Sequence, residues 1–392
     1  MKISFQDGLI CRQEGFPVLT RKALEDRQLE LLNMQLRRAV RTSPFYKGYP
    51  ERLASLEQLR ELPFMDERTL RSSFAGLCLS SGRELVRLRT SGTTGEPKRL
   101  AYSRYDCDRT RDYFAEGLTE LICPGDIVLS GFPNTDANSL GGLLSSAVTA
   151  IGAEIFCVTG RESYREMADL AVTAGCTVYV GPPVLLLSLL RIMKERSSLR
   201  RALISGDLCP PAVRSACEEM LGTRVFAHYG LRESGLGGAM ECQAHEGMHI
   251  RENDLIFEVI GPEGEALPDG IWGELVLTSI GLEAMPLFRY RTGDRGRILT
   301  GRCACGSAVK RLETSGRLNL PETSRLDDAV FRCDAVIDAM AENGGVYVLV
   351  TGEARKARKE LEALLPGAAL HIRALEEEDR PFFRGKRNGI SR

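Results

Sequence analysis

The chain of 392 residues has a single tryptophan, four histidines and no excess of charge: 52 lysines and arginines face 53 aspartates and glutamates, a formal charge of −1. That balance excludes a global basic field of the kind that holds nucleic acid, so no nucleic-acid partner is expected. Long apolar runs are also missing. The longest uncharged stretches, Ala137–Ala153 and Leu170–Leu190, are interrupted by Gly141-Gly142 and by Gly181-Pro182-Pro183. They read as buried strand and helix pieces rather than membrane spans. Met1 to Gly15 carries Lys2, Asp7, Arg12 and Glu14 with no apolar run between them, unlike a secretory leader. Twelve cysteines are too few for a disulfide framework in a chain this long. Together these absences predict a cytoplasmic protein with reduced thiols and no membrane partner.

What is present is ordinary globular material. A hydrophobic fraction of 43% and a charged fraction of 27% exclude wholesale disorder, and the length suits two or three domains. Apolar residues at helical spacing (Leu24, Leu29, Leu32, Met34, Leu36, Val40) predict an amphipathic helix over 21–41. From residue 126 to 230, strand-like and helix-like runs alternate. The strands fall at 126–129, 154–158, 176–180, 201–205 and 224–227. This cadence predicts a mostly parallel sheet with covering helices, and such sheets bind ligands at the carboxyl ends of their strands. Beyond about residue 245, strand-like runs at 254–260 and 273–280 are joined by glycine- and proline-rich turns, which predicts an antiparallel β unit. The last stretch reads as helix 329–340, strand 345–351, helix 354–365 and strand 369–372. The fold class is therefore α/β: a large N-terminal domain with mixed, largely parallel sheets and an antiparallel β unit, plus a small α+β C-terminal domain.

Chemistry concentrates in a few short segments. Arg89-Thr90-Ser91-Gly92-Thr93-Thr94-Gly95-Glu96-Pro97-Lys98 combines four hydroxyls, two glycines and a lysine. The glycines let backbone approach a ligand closely, hydroxyls and amides wrap anionic oxygens, and Lys98 adds positive charge. The spacing is not the Walker pattern. His228-Tyr229-Gly230-Leu231-Arg232-Glu233 follows a predicted strand. There a tyrosine can stack on a purine and a glutamate can hold Mg²⁺. Ser205-Gly206-Asp207 ends another strand, and Tyr290-Arg291-Thr292-Gly293-Asp294 offers a carboxylate suited to a vicinal diol. Cys242, His245 and His249 lie close in sequence, and Cys303-Ala304-Cys305 follows between Gly301 and Gly306. Thiolates with an imidazole suit tetrahedral Zn²⁺. The expected set is Cys242, His249, Cys303 and Cys305, with His245 as an alternative ligand, in a structural role.

These segments resemble the adenylate-forming superfamily of AMP-binding enzymes, in its phenylacetate–coenzyme A ligase-like branch, over most of residues 85–320. The resemblance implies an ATP-dependent, AMP-forming carboxylate–CoA ligase acting on a small carboxylic acid of the aryl, phenylacetate-like kind. Thr90, Ser91, Gly92, Thr93, Thr94, Gly95 and Lys98 would hold the phosphates. Gly206, Asp207, His228, Tyr229 and Gly230 would line the adenine pocket. Asp294 would accept the ribose hydroxyls, and Arg317 of Gly316-Arg317 would reach ribose or phosphate. Glu233 would bind Mg²⁺. Arg232 stands where the family usually has Thr or Ser; it would grip phosphate or pair with Glu233. Lys386 of Arg384-Gly385-Lys386-Arg387 would neutralise charge in the adenylation transition state. The implied domains are a large adenylation domain, 1–316, and a small mobile domain, 317–392, with the acyl pocket between segment 129–142 and the strand end at 205–229. ATP, Mg²⁺, CoA and zinc are the implied cofactors and substrates, and a homodimer is compatible with the branch. Two other readings stay open: an adenylyltransferase of the same fold, of the deazaflavin-coenzyme type, and a degenerate nucleotide-binding member.

Overall fold

The computed structural model describes residues 4–79, 85–89, 98–318, 323–342 and 344–381. In chain order, helices α1 (Phe5–Glu14), α2 (Arg21–Thr42), α3 (Glu67–Ser72) and α4 (Phe74–Leu77) precede the strands β1 (Val86–Arg89) and β2 (Arg99–Tyr102). Then follow α5 (Arg104–Leu118), β3 (Ile127–Ser130), α6 (Leu140–Ile151), β4 (Glu154–Cys157), α7 (Tyr164–Thr173) and β5 (Val178–Gly181). Next come α8 (Pro183–Met193), β6 (Arg201–Ile204), α9 (Pro211–Leu221) and β7 (Phe226–Tyr229). Six strands succeed one another after that: β8 (Ala239–Glu241), β9 (Met248–Ile250), β10 (Leu255–Ile260), β11 (Gly273–Ser279), β12 (Tyr290–Ile298) and β13 (Arg311–Arg317). The last elements are α10 (Thr323–Phe331), β14 (Val336–Glu342), β15 (Gly345–Val350), α11 (Ala354–Leu364) and β16 (Ala369–Ala374).

The chain divides into two compact units: residues 1–120 with 228–318, and 121–227 with 319–392. In the first, β8, β9, β13, β12, β11 and β10 pair antiparallel, each with the next. Strand β12 alternates strictly, with Tyr290, Thr292 and Asp294 turned to one buried face. The amphipathic helix expected at 21–41 is α2, capped by Thr20, whose side chain accepts from Ala23 N. Buried polar groups tie this unit together. Arg109 Nε donates to Asp254 Oδ1 and Arg251 Nε to Asp254 Oδ2, both at 2.5 Å.

In the second unit β4, β3, β5 and β6 run parallel, as the alternating cadence predicts. Every linking segment is a helix, because parallel neighbours need a crossover. Helix α8 is buried almost all round. One side faces the parallel strands, and the other carries the C-terminal elements: Ser188 Oγ donates to Ile337 O at 2.6 Å and Arg191 Nη2 to Phe331 O at 3.1 Å. Val330, Val336, Val348 and Leu361 share one core cluster with Leu186 and Leu190. The chain therefore leaves the first unit near the anticipated boundary at 316, but the residues beyond it share a core with 121–227.

One element needs correction. The expected helix 329–340 is instead the end of α10, a turn at Cys333, and strand β14. The segment Val336–Glu342 pairs antiparallel with β15, and the sequence Asn343-Gly344 is a strong short-range hairpin signal. Pairing outweighed the weak helical spacing, which is common for short apolar runs.

Candidate functional site

In the second unit the candidate residues lie at the carboxyl ends of the parallel strands. Strand β5 ends at Gly181 and β6 is followed by Ser205-Gly206-Asp207. Gly206 has φ +85°, and a Cβ there would stand 2.9 Å from the Phe132 ring, so glycine is required. Asp207 Oδ1 accepts from Leu208 N at 2.8 Å, the ordinary capping behaviour of a strand-end aspartate. Phe132 and Gly206 are thus neighbours at this strand end.

The first unit carries candidate residues of its own. After β7 the chain makes a short 3-10 turn, Arg232–Ser234, closed by Ser234 Oγ, which accepts from Leu231 N at 3.0 Å, and by Gly235 at φ +69°. The turn places Glu233 inward, 6% exposed. Glu233 Oε1 pairs with Lys98 Nζ at 2.7 Å and accepts from the Tyr290 hydroxyl at 3.1 Å. Lys98 Nζ also donates to the Tyr290 oxygen at 3.3 Å, with Glu67 3.9 Å away on α3. Burial lowers the pKa of Arg232, opposed by the neighbouring charge of Glu233. Burial, and then Glu233, hold the Tyr290 phenol well above its ordinary value. A buried carboxylate that already carries a cation fits the one or two protein carboxylates by which a phosphate-bound Mg²⁺ is held.

Four residues along the same face of β12, Asp294 is engaged by two partners. The Tyr229 hydroxyl donates to Oδ2 at 2.8 Å, and Arg317 Nε lies 3.2 Å from Oδ1. The register of β12 with β13 sets Asp294 opposite Arg317. Thr292 Oγ1 accepts from Asp294 N at 3.0 Å and donates to Leu275 O at 2.8 Å, which fixes the turn. A carboxylate has about four acceptor sites, so a diol can still be accommodated beside these donors. His228 packs near Tyr113 and Phe114, with ring centroids 6.2 and 5.9 Å away. Burial, with Arg251 adding, pulls its pKa down to about 4, so the imidazole is neutral. Gly230 is required because a Cβ would lie 2.4 Å from Leu236 O.

The thiol cluster is closed. The ligand atoms of Cys242, His249, Cys303 and Cys305 all lie within 4.8 Å of one another. Cys242 follows β8 and His249 lies on β9, where Met240 pairs with His249. Cys303 and Cys305 sit in the loop between β12 and β13. The Cys242 and Cys303 sulfurs are 3.7 Å apart, and Cys305 Sγ is 3.4 Å from His249 Nε2. Zn–S bonds of about 2.3 Å and Zn–N bonds of about 2.0 Å at tetrahedral angles demand separations of roughly 3.5–3.8 Å, so the set fits such an ion. Cys305 is held below the usual thiol range by Cys242 and then by His249. Burial works against charge on His249, yet Cys303 and Cys305 raise its pKa. The alternative ligand His245 lies elsewhere: its Nδ1 is 3.1 Å from Glu241 Oε2.

Thr90, Ser91, Gly92, Thr93, Thr94, Gly95 and Lys386 lie outside the described residues. Lys98, Arg232 and Glu233 come together, as do Tyr229, Asp294 and Arg317. Tyr290 is the residue that motif reading passed over. It stands in a quoted segment, but its partner Glu233 is 57 positions away and no spacing announces the contact.

A family profile described as AMP-binding enzyme matches residues 87–284. A phenylacetate-coenzyme A ligase of Pseudomonas putida is 30% identical over 303 residues, covering 71% of this chain and 67% of that protein. A phenylacetate-coenzyme A ligase of Thermus thermophilus is 27% identical over 398 residues, covering 95% and 85%. A solved 2-hydroxyisobutyryl-CoA ligase, in the postadenylation state with an acyl-AMP, shares the fold at a TM-score of 0.72 and 18% identity, over 94% of this chain and 87% of that one. With the two carboxylates, Glu233 and Asp294, carried on the framework just described, this chain belongs to the AMP-binding enzyme family.

Proposed function

We propose that the protein is an AMP-forming carboxylate–CoA ligase. The observation that carries this reading is the convergence of Lys98, Glu233 and Tyr290 beside Asp294 and Arg317, on a chain whose family activates acids with ATP. In the first half-reaction a carboxylate oxygen attacks the α-phosphorus of ATP. The bond to the β-phosphate breaks, and pyrophosphate leaves as acyl-AMP forms. In the second, the sulfur of CoA attacks the acyl carbonyl, AMP departs, and the thiol proton passes to solvent.

The chain's own groups do the positioning, which is where much of the rate gain arises. Residues 90–98 would grip the β- and γ-phosphates. Asp294 would accept the ribose hydroxyls, with Tyr229 and Arg317 holding its orientation. Gly206, Asp207, His228 and Gly230 would border adenine through backbone. Glu233 would hold Mg²⁺, which neutralises phosphate charge when bound; Arg232 would donate to phosphate. Lys386 would meet the developing charge in the first half-reaction. Phe132 and the strand end at Gly206 suit an apolar, phenylacetate-like acid. Cys242, His249, Cys303 and Cys305 would hold a structural zinc, with no open position for substrate. A cytoplasmic setting and a homodimer belong to the same proposal. Among the described residues no helix is long and apolar enough to cross a membrane.

The test is AMP release from ATP with a panel of carboxylic acids, with and without CoA. The reading requires an acid that supports pyrophosphate release alone and thioester formation once CoA is added. AMP transfer to a hydroxyl with no use of CoA would replace it with the adenylyltransferase reading, which no contact in the site favours.

A further inference from the structure

Two donors of different kinds meet on Oε1 of Glu233: the ammonium of Lys98 at 2.7 Å and the phenol of Tyr290 at 3.1 Å. The ammonium also donates to the phenol oxygen, at 3.3 Å. The two donors respond differently to a metal ion. A divalent cation arriving at Glu233 repels the Lys98 charge across a few ångströms, while a neutral hydroxyl is not expelled. We propose that Tyr290 is the positioning residue of the metal-binding carboxylate: its hydroxyl keeps Glu233 in place when Lys98 turns from the carboxylate to the nucleotide phosphates. This rests on the nucleotide-activating reading above.

The surroundings support that division of labour. Tyr290 is 2% exposed, and its backbone is clamped on both sides: Arg291 N donates to Met65 O at 2.8 Å, and Met65 N to Arg289 O at 3.0 Å. The ring therefore cannot follow the carboxylate if it swings; the carboxylate must come to the ring. Burial, with Glu233 adding, keeps the phenol protonated and so a donor. Lys98 has a longer reach, and with Glu67 3.9 Å away it already lies between two acidic groups. It is the partner free to turn because four rotatable bonds carry its charge.

The experiment uses the full chain and its Tyr290→Phe variant, which removes one oxygen and keeps the ring. At fixed saturating ATP, Mg²⁺ is titrated and the rise in Tm is followed, alongside thioester formation. The variant is expected to need about tenfold more Mg²⁺ for half of the ATP-dependent rise, the scale of one hydrogen bond to a charged group. The KM for the acid should not move with it. In a Glu233→Gln background the Phe substitution should add no further Mg²⁺ requirement, because the coupled partner is already gone. An unchanged Mg²⁺ requirement in Tyr290→Phe, or effects that simply add in the double variant, would overturn the inference. Loss of the ligase reading looks different: the Mg²⁺ shift would persist with no acid yielding thioester. If Mg²⁺ with ATP raised the Tm of neither protein, both would be contradicted.

Discussion

The first unit holds two polar clusters of opposite design. The one around Glu233 is built from oxygen and ammonium groups on α3, just before β2, in the 3-10 turn and on β12, and its charges are already paired with each other. The thiol cluster, with Cys242 just after β8, His249 on β9 and two cysteines in the loop between β12 and β13, draws three sulfurs and an imidazole nitrogen within 4.8 Å of one another. On the proposed reading the first exchanges partners: Lys98 would leave the carboxylate for a phosphate, and the charges would stay balanced. The second has nothing to exchange, so an ion bound there serves the fold. On that reading the paired oxygen and ammonium groups would receive substrate, and the thiol and imidazole ligands would not.

The sharpest way to break this contrast is to remove metal. If the thiol cluster holds a structural zinc, strong chelation should cost more stability than any substitution at Glu233, on the order of 10 kcal/mol of metal-linked folding energy. Zinc content after dialysis should be near one equivalent per chain. Because thiolates and a neutral imidazole are the ligands, retention should weaken as pH falls. A dialysed protein with less than about half an equivalent, unchanged by chelator, would dissolve the distinction.

Next in size is the charge pair. Lys98→Met strands the buried carboxylate of Glu233 and should lower unfolding free energy by about 3–5 kcal/mol. Adding Glu233→Gln should restore most of that stability and none of the AMP formation. Recovery of both in the double variant would mean the pair is structural, like the thiol cluster.

His228 gives a smaller, pH-dependent effect. Its pKa falls from 6.5 to about 4 on folding, so the neutral form is the folded one. Its contribution is complete above the unfolded value and is lost as pH falls from 6.5 toward 4, by up to about 3 kcal/mol. Urea unfolding of wild type and His228→Gln across that window should show the gap closing as pH falls; parallel curves would rule out a buried neutral imidazole. The smallest effect concerns the ribose. Asp294→Asn keeps the shape but weakens acceptance, and should raise the KM for ATP roughly tenfold with little change in KM for the acid. An equal rise in both would argue that Asp294 shapes the whole pocket.

Much of this was legible in the sequence, unevenly and for physical reasons. The parallel strands announced themselves because each alternates with a helix of its own period, and β3 to β7 fall within a few residues of their expected places. The run 329–340 did not, since a few apolar residues fit either period and long-range pairing with β15 decided. In the site, Glu233 and Asp294 were readable because each lies in a compact motif. The thiol set was readable from ligand chemistry, although only folding separates His249, which faces Cys305, from His245, which faces Glu241. The hydroxyl of Tyr290 on Glu233 was not readable at all: strand pairing brings them together, and neither residue's neighbours record it.

The most direct test is a crystal structure with a non-hydrolysable ATP analogue and Mg²⁺. The account predicts one nucleotide whose ribose hydroxyls lie within hydrogen-bonding distance of Asp294, whose phosphates meet Lys98, and beside which the 2.7 Å contact from Lys98 to Glu233 has opened while the Tyr290 contact persists. A nucleotide bound away from Asp294, or one that leaves the Lys98–Glu233 pair intact, would contradict it.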